Sequence, residues 1–297
     1  MQPNQFTYHR AGDVAEAIDR LQKHGDSAAI IAGGHSLVPD MKADEASPDA
    51  VVDVGELQHL HGIDHGGSTS HLGSMTTYAT TVDDDTLREH TLLAETAAEI
   101  GDSRIRNRGT VGGNLAQADP GADLPAAMLA SEATIHTRGP EGAAAVPASS
   151  FFEGAYETAL DASELVTGIE VPHLDTDDGA VYLKKRKPTS GYALVGVATV
   201  LEVDGDTVTD ARVAVNGIFE AARRLDAAEE AVADTALADV DAESAGTAAA
   251  EAVDTDDVMS DADASPEFRA HLLGVYVERA VEAAVDRAGG TVAASDD

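Results

Sequence analysis

The chain has 297 residues, enough for about two domains, and its 43% hydrophobic content suffices for globular cores. Its formal net charge of −35, from 54 acidic and 19 basic residues, argues against nucleic acids and anionic membranes as partners. The absence of cysteine excludes disulfides, thiolate nucleophiles and cysteine-ligated zinc or iron–sulfur centres within this chain.

The acidic surface is typical of a halophilic protein, because at about 1 M salt the Debye length falls to about 3 Å and carboxylate repulsion is screened. A surface that repels polyanions is the alternative interpretation. The segment 1–13 lacks a basic region followed by an apolar core, and no apolar run approaches the length of about 18 residues that a membrane span needs. We therefore expect a cytoplasmic protein without a membrane span.

A small α/β unit is predicted at the amino-terminal end. Asp13 is a plausible N-cap, and a helical face follows it, formed by Val14, Ala17, Ile18 and Leu21. Short buried strands are predicted for AAIIAGG at 28–34, VVDV at 51–54 and HLGSM at 71–75.

Helical patterns return in the next segment. Residues 78–100 are predicted to be helical, with candidate core positions at Leu87, Leu92, Leu93 and Ile100. AAMLA at 126–130 is a short apolar helix, and strands are expected at 133–138 and 164–172. The Pro/Gly/Ala-rich residues 138–150 are predicted to be a connection between these strands.

The composition shifts near residue 175, after which an antiparallel pattern begins. Apolar strands at 193–203 and 207–218 are joined by an Asp204–Gly205 hairpin turn. Alanine- and acid-rich residues 226–252 predict one or two solvated helices. Ser265 and Pro266 start a helix that reaches about Arg287. Its apolar face is predicted to contain Phe268, Leu272, Val275 and Tyr276.

The composition shift near residue 175 separates a larger first domain from a smaller second one. The first domain is expected at 1–175, with subdomains at about 1–58 and 59–175. A carboxy-terminal domain is expected at 176–291, and a loose tail at 292–297.

Two glycine loops are the most informative features of the sequence. AGGHS at 32–36 follows a buried strand, and TVGGN at 110–114 is followed by Asp119 and Asp123. Glycines in such loops allow positive φ and bring backbone N–H groups close to a ligand, so the pair could hold a diphosphate without lysine or arginine. Neither loop is a Rossmann or P-loop fingerprint, and each taken singly could be an ordinary tight turn.

The two loops lie in longer motifs, AGGHSLVPDMK at 32–42 and RIRNRGTVGGNLAQADPGADLP at 104–125. Together with ELVTGIEVP at 164–172 and SPEFRAHLLGVYVERA at 265–280, they resemble the FAD-binding medium subunit of molybdenum hydroxylases, the flavoprotein of the carbon monoxide dehydrogenase and xanthine dehydrogenase group. The resemblance covers nearly the whole chain. It implies an α+β fold, with a two-part FAD-binding domain of the vanillyl-alcohol-oxidase type and a carboxy-terminal domain of antiparallel sheet and helices.

The resemblance also implies roles for individual residues. One side of the FAD pyrophosphate would be wrapped by Ala32, Gly33, Gly34, His35 and Ser36. The other side would be closed by Thr110, Val111, Gly112, Gly113 and Asn114. Asp123 would accept hydrogen bonds from sugar or ribityl hydroxyls, Gly101 would approach the cofactor closely, and Leu165 or Val166 would pack near a ring. For Asp119 a cofactor contact and helix capping are equal alternatives.

A basic island, YLKKRKPTSGYAL at 182–194, stands out in so acidic a chain. By position in the family motif, Lys184 would lie near the flavin and Tyr192 against its ring system. Gly191 replaces the aspartate of the family pattern, which leaves the local geometry open. The alternatives are a charge-guarded hairpin edge and a subunit-docking surface.

The function implied is electron transfer within a larger oxidoreductase. Electrons would pass from the iron–sulfur clusters of a small subunit to FAD on this chain and then to an external acceptor, while a large molybdopterin-binding subunit hydroxylates the substrate; the assembly is expected to be a heterotrimer, itself dimerised. A stand-alone FAD-dependent oxidoreductase and a cofactor-free scaffold are the alternatives.

Two groups of histidines are given no special chemical role. His59, His61 and His65 fit no tight zinc pattern, so no metal site is predicted there. Some flavin oxidases attach FAD to a histidine in a sequence similar to that around His35, but the family resembled here binds FAD without a covalent bond.

Overall fold

The computed structural model describes residues 3–289, and a three-stranded parallel sheet with two helices forms its amino-terminal unit. The elements of this unit are β1 (Thr7–Arg10), α1 (Val14–His24), β2 (Ala28–Ile31), α2 (Leu37–Ala43) and β3 (Ala50–Asp53). The strand order is β1-β3-β2 with parallel pairing, and the connections cross over through α1 and α2. Asp13 caps α1 by accepting a 2.8 Å hydrogen bond from the Glu16 amide, and the predicted helical face is buried.

The second unit is a five-stranded antiparallel sheet covered by short helices. Its strands are β4 (Ile63–His65), β5 (Thr69–Gly73), β6 (Thr134–Gly139), β7 (Gly142–Pro147) and β10 (Leu165–Pro172), with a separate hairpin of β8 (Phe152–Gly154) and β9 (Glu157–Thr158). Its helices are α3 (Tyr78–Asp83), α4 (Asp85–His90), α5 (Leu93–Ala98), α6 (Ser103–Arg106), α7 (Val111–Gln117) and α8 (Leu124–Ala130). The sheet order β4-β5-β10-β6-β7 places β10, which arrives last in the chain, at its centre.

The third unit is a four-stranded antiparallel sheet backed by helices. It consists of β11 (Gly179–Arg186), β12 (Ala193–Asp204), β13 (Thr207–Asn216), β14 (Arg223–Arg224), α9 (Asp226–Glu230), α10 (Ala242–Glu251) and α11 (Pro266–Arg287). The long helix α11 packs on β11 and β12 and also against α10. Gly205 takes a φ of 62° in the predicted hairpin turn, where Asp204 pairs with Thr207. The α+β fold, with a first part in two units and a carboxy-terminal part of antiparallel sheet and helices, is therefore confirmed. The expected tail at 292–297 lies outside the described residues.

Two elements differ from the sequence-based expectation in the second unit. Residues 78–100 form three short helices because Asp84 leaves helical geometry at φ −80°, ψ 120° and caps α4 through a 2.9 Å bond from the Leu87 amide. The predicted connection at 138–150 contains β7, which pairs with β6 through Gly139 and Gly142. Its Ala-rich sequence has little intrinsic β-propensity, so tertiary pairing decides its conformation.

The buried face of α11 also differs from the expected one. Phe268 is 47% exposed, whereas Arg269 and Leu273 are fully buried. The Arg269 guanidinium donates hydrogen bonds to the backbone oxygens of Leu194 at 2.8 Å and Gly217 at 2.5 Å, and to Asp261 at 2.7 Å. Those acceptors come from distant parts of the chain, so nothing in the helix sequence could show that an arginine is satisfied on the inner face.

Within residues 3–289, none of the helices combines the length and the apolar character that crossing a bilayer would require.

The net charge of −35 predicts that the stability of the protein depends on salt concentration. Lowering KCl from about 1 M to about 0.1 M lengthens the Debye length from about 3 Å to about 10 Å. Carboxylate repulsion then grows, and we expect the free energy of unfolding, measured by urea titration at each KCl concentration, to fall. An unchanged midpoint would count against the halophilic interpretation.

Candidate functional site

The two predicted glycine loops lie against each other in the structure. A Cβ atom on Gly33 would overlap the carbonyl oxygen of Arg108, immediately before the second loop. A Cβ on Gly113 would come within 3.5 Å of the Ala32 Cβ, from the other side. Gly34 has a φ of 74°, the left-handed region that glycine adopts without strain. These glycines therefore serve the approach of one loop to the other as well as the turn itself.

The first loop carries a run of free backbone donors. Among the described residues, no acceptor is recorded for the amides of residues 33–37, which lead into α2. The next amide, of Val38, donates to the Gly34 carbonyl oxygen at 3.3 Å, and Pro39 has no N–H. Consecutive unpaired N–H groups at a loop form a concave site for an anion such as a phosphate.

The second loop is built differently, because its amides are already paired. Val111 and Gly112 donate to the carbonyl oxygens of Thr76 and Ser74, each at 2.9 Å, and the Gly113 amide donates to Thr110 Oγ1 at 3.2 Å. This loop is therefore a rigid wall rather than a second set of free amides. It still offers one unpartnered group: Asn114 Oδ1 is buried with no hydrogen-bond partner, while Nδ2 donates to the Tyr78 hydroxyl at 3.0 Å.

A cavity of about 560 Å³ runs between the loops, a size that suits an organic cofactor. Its lining includes most of the predicted residues: Ala32, Gly33, Gly34, His35, Ser36, Gly101, Thr110, Gly112, Gly113, Asn114, Asp123, Val166 and Tyr192. No lysine or arginine of residues 3–289 contributes to this lining. A bound diphosphate would therefore depend on backbone amides, as the sequence predicts.

The cavity lining combines apolar and polar side chains. The apolar ones include Ile105, Leu160 and Val166, and the polar ones include Asp119, Asp123 and Tyr192. Such a mixed lining suits a ligand that carries both flat ring systems and a polar chain.

Gly101 and its turn are held by a residue that sequence reasoning missed. Gly101 has a φ of 49°, and the Arg106 guanidinium donates to the carbonyl oxygens of Ile100 at 3.0 Å and Gly101 at 3.1 Å. Arg106 lies in the conspicuous RIRN run of the second motif, which was the available signal. Arg106 does not line the cavity itself; it stabilises the turn at Ile100 and Gly101, which does.

Tyr78 was also missed, and it supports the second loop. Its amide donates to the Gly109 carbonyl oxygen at 3.0 Å, and its ring lies where a Cβ of Gly109 would be. Burial raises the pKa of Tyr78 far above its usual value. Burial likewise raises the pKa of Tyr192, and the Asp119 carboxylate adds to the effect. Both tyrosines are therefore neutral hydrogen-bonding groups in the cavity wall.

Two predicted site residues do not line the cavity. Val111 is fully buried in the core of the second unit, so its side chain packs against protein. Lys184 is only 1% exposed at its side chain, and its ammonium group donates to Asp123 Oδ2 at 2.6 Å and to the Gly191 carbonyl oxygen at 3.3 Å. The ammonium group contacts two residues of the cavity wall, Asp123 and Gly191, and its charge is compensated by the Asp123 carboxylate.

Asp123 accepts hydrogen bonds from the protein itself. Besides Lys184, the Tyr182 hydroxyl donates to Asp123 Oδ1 at 2.6 Å. Burial raises the pKa of the Asp123 carboxyl, and Lys184 and Tyr182 act in the opposite direction. The predicted acceptance of sugar or ribityl hydroxyls would have to use the remaining lone pairs of a carboxylate that already has two donors. Asp119 caps neither neighbouring helix: it accepts from the Gly121 amide at 2.8 Å, within the turn before α8, and from the Tyr156 hydroxyl at 3.1 Å. It also lines the cavity, so a cofactor contact stays a prediction.

The basic island mainly joins parts of this chain. Arg186 pairs with Glu99 at 2.8 Å and Lys187 with Asp261 at 2.6 Å, in addition to the pair formed by Lys184. Within residues 3–289, Lys185 has no carboxylate in ion-pair range. The island therefore ties β11 to the second unit and to the segment before α11, which the sequence alone could not show.

The histidines set aside above are separate from this cavity. His61 Nε2 lies 3.0 Å from the Gly55 carbonyl oxygen. His65 lies 2.9 Å from the hydroxyl of buried Ser70 and 3.1 Å from Asp84. In the part of the chain that the structure describes, they form no metal-ligating cluster with one another.

A cavity of this kind, lined by two glycine loops and free of lysine and arginine among its described lining residues, suits a nucleotide cofactor, and comparisons with known proteins identify the family. A family profile described as "FAD binding domain in molybdopterin dehydrogenase" matches residues 4–174, and one described as "CO dehydrogenase flavoprotein C-terminal domain" matches residues 180–284. The chain therefore belongs to the FAD-binding medium-chain family of molybdopterin dehydrogenases.

Individual relatives agree over almost the whole length. The carbon monoxide dehydrogenase medium chain of Afipia carboxidovorans is 37% identical, over 97% of this chain and 99% of its own. The 6-hydroxypseudooxynicotine dehydrogenase complex subunit alpha of Paenarthrobacter nicotinovorans is 31% identical over the full length of both. Among solved structures, a carbon monoxide dehydrogenase from Hydrogenophaga pseudoflava superposes with a TM-score of 0.92 at 36% identity, covering 97% of this chain and 99% of the other.

Proposed function

We propose that this chain binds FAD in the cavity between the glycine loops and serves as the electron-transfer subunit of a molybdenum hydroxylase. The run of free amides at residues 33–37, in a loop that lines a cavity without a lysine or arginine among its described lining residues, is the observation that carries the proposal. A diphosphate needs donors there, and nothing in the described protein supplies acceptors in its place. The orphaned Asn114 Oδ1 adds an acceptor for a hydroxyl or amide of the same ligand.

The residues that line the cavity suit both the diphosphate and the rings of FAD. Gly33, Gly34 and Ser36 would hold the diphosphate, and Val166 would pack against a ring. Tyr192, which lines the cavity and is 41% exposed, would cover part of the flavin ring system. Bound FAD supplies exchange of one or two electrons, which suits it to connect one-electron centres with a two-electron acceptor.

The proposed partners are a small subunit that holds iron–sulfur clusters and a large molybdopterin-binding subunit, in a heterotrimer that itself dimerises. The absence of cysteine means that cysteine-ligated clusters must be on another chain. The names of the relatives differ in substrate, from carbon monoxide to 6-hydroxypseudooxynicotine, while their medium chains remain similar to this one. The substrate is therefore expected to depend on the large subunit.

Purification of this chain from its native cells in about 1 M KCl tests the proposal. We expect a yellow complex that contains FAD, iron and molybdenum together with two further chains, and we expect its flavin absorbance to bleach when substrate is added. The chain alone should bind FAD but should not oxidise substrate. A colourless chain would exclude the site, and turnover by the isolated chain would favour a stand-alone oxidoreductase.

A further inference from the structure

A second cluster of ligating side chains lies on the outer face of the five-stranded sheet. His71 on β5, Glu170 on β10 and His136 on β6 come from three adjacent strands. Their alternate neighbours Leu72, Ile169 and Ile135 are buried beneath the sheet, so the three polar side chains point outward together. None of the three lines the cavity described above.

The distances between the ligating atoms are short. Glu170 Oε2 lies 3.4 Å from His71 Nδ1 and 3.8 Å from His136 Nε2. One ligand atom from each residue lies within 4.8 Å of the other two. Bonds of about 2.0–2.2 Å to a tetrahedral zinc ion place neighbouring ligand atoms roughly 3.3–3.5 Å apart. The cluster therefore needs only a small contraction to surround a metal ion.

The strand register explains how this arrangement arises. Glu170 pairs directly with His71, whereas His136 pairs with Gly168, two residues before Glu170 on the same face. Gly168 contributes no side chain to this face between His136 and Glu170. On the far side, Asp64 of β4 is opposite His71 and adds negative charge to the same row.

His136 has a polar atom without a partner. Its Nε2 atom is shielded from solvent and has no hydrogen-bond partner, an unfavourable state for a buried polar atom. Glu170 Oε2 is 3.8 Å from it, beyond hydrogen-bonding distance. A cation between the two would satisfy both groups at once.

We propose that His71, His136 and Glu170 form a binding site for a divalent transition-metal ion of the zinc class. Two imidazoles and one carboxylate favour Zn²⁺ or Co²⁺ over Mg²⁺ or Ca²⁺, which prefer sites made only of oxygen. Three protein ligands leave a position for water. The ion would tie β5, β10 and β6 together, and so stabilise the sheet whose central strand begins at the cavity.

Zinc titration of the untagged full-length chain, without FAD, tests this site independently of the proposed function. In about 1 M KCl, where weak binding to surface carboxylates is screened, calorimetry should show one saturable equivalent of Zn²⁺ and an increase in Tm. His136→Gln and Glu170→Gln should each weaken Zn²⁺ binding at least about tenfold and remove the increase in Tm.

His59→Gln is the matched control, since it removes one exposed histidine from elsewhere on the surface and should leave the affinity unchanged. Co²⁺ should bind with the visible absorption of a tetrahedral or five-coordinate centre, and Mg²⁺ should not displace it. The proposal is overturned if Zn²⁺ does not saturate at one equivalent, or if the variants bind it as tightly as the original chain does.

Discussion

Replacement of Gly33 by alanine is expected to abolish retention of FAD through gel filtration. The added Cβ would overlap the carbonyl oxygen of Arg108, so the two glycine loops must separate. Overpacking of this kind costs about 1–3 kcal/mol, which corresponds to roughly 5- to 150-fold weaker binding if binding requires the loops to close again. The ratio of flavin to protein absorbance after gel filtration, and a fluorescence titration of FAD, measure the effect.

Gly67→Ala is the matched control for this experiment. Gly67 lies in the turn between β4 and β5, and a Cβ there meets no atom within 4 Å. Both variants should give the same far-ultraviolet circular dichroism, which separates loss of the site from loss of the fold. If Gly33→Ala bound FAD with unchanged affinity and only a lower Tm, the loops would not be the binding site.

Lys184→Met is expected to have the largest effect on stability. It leaves Asp123, whose side chain is 5% exposed, without its cation, and breaking a buried pair from one side costs about 3–5 kcal/mol. Asp123→Asn combined with Lys184→Met removes both charges, while the amide oxygen can still accept from Tyr182. We expect the double variant to recover most of the lost stability. Urea unfolding in about 1 M KCl measures the free energy of unfolding of the original chain, of Lys184→Met and of the double variant.

The pH dependence of Lys184→Met has a defined sign. Burial raises the pKa of Asp123 and Lys184 opposes this, so removing the lysine raises that pKa further. A folded-state pKa above the unfolded value destabilises the protein at high pH, and the deficit shrinks as the pH falls and the carboxyl takes up a proton. The stability gap to the original chain should therefore narrow on acidification. Lys185→Met, at the exposed neighbouring position, should change neither stability nor its pH dependence.

Local signals were sufficient to predict many elements of the fold. The first helix followed from the Asp13 cap and four apolar positions at helical spacing, because capping and amphipathicity act within a few residues. Ser265 and Pro266 marked the start of α11 for the same reason. Partners distant in the chain are not visible to such signals. Both β7, which depends on β6, and Arg269, which depends on carbonyl groups some 50 and 75 residues away, were therefore missed.

For the candidate site as well, some features could be predicted from the sequence and others only from the structure. The two glycine loops and Tyr192 could be selected from sequence, and the structure brings them to one cavity. The roles within it could not be assigned, because the two loops look alike in sequence but differ in hydrogen bonding. The amides of the first loop are free. In the second loop, the amides of Val111 and Gly112 are paired with the carbonyl oxygens of Thr76 and Ser74, which belong to a segment distant in the chain. The metal-ligating cluster was missed because its three members are on separate strands.

By itself, the sequence determined the family, the cofactor class and the approximate course of the helices and strands, since these depend on residue types and short spacings that the chain displays directly. The tertiary structure decided which donors are free, which charges are compensated and which side chains meet. Lys184 shows the difference: its position suggested a flavin neighbour, but the fold places its ammonium group 2.6 Å from Asp123. A buried cation interacts most strongly with the closest opposite charge, and only the tertiary packing that brings Lys184 on β11 next to Asp123 determines which charge that is.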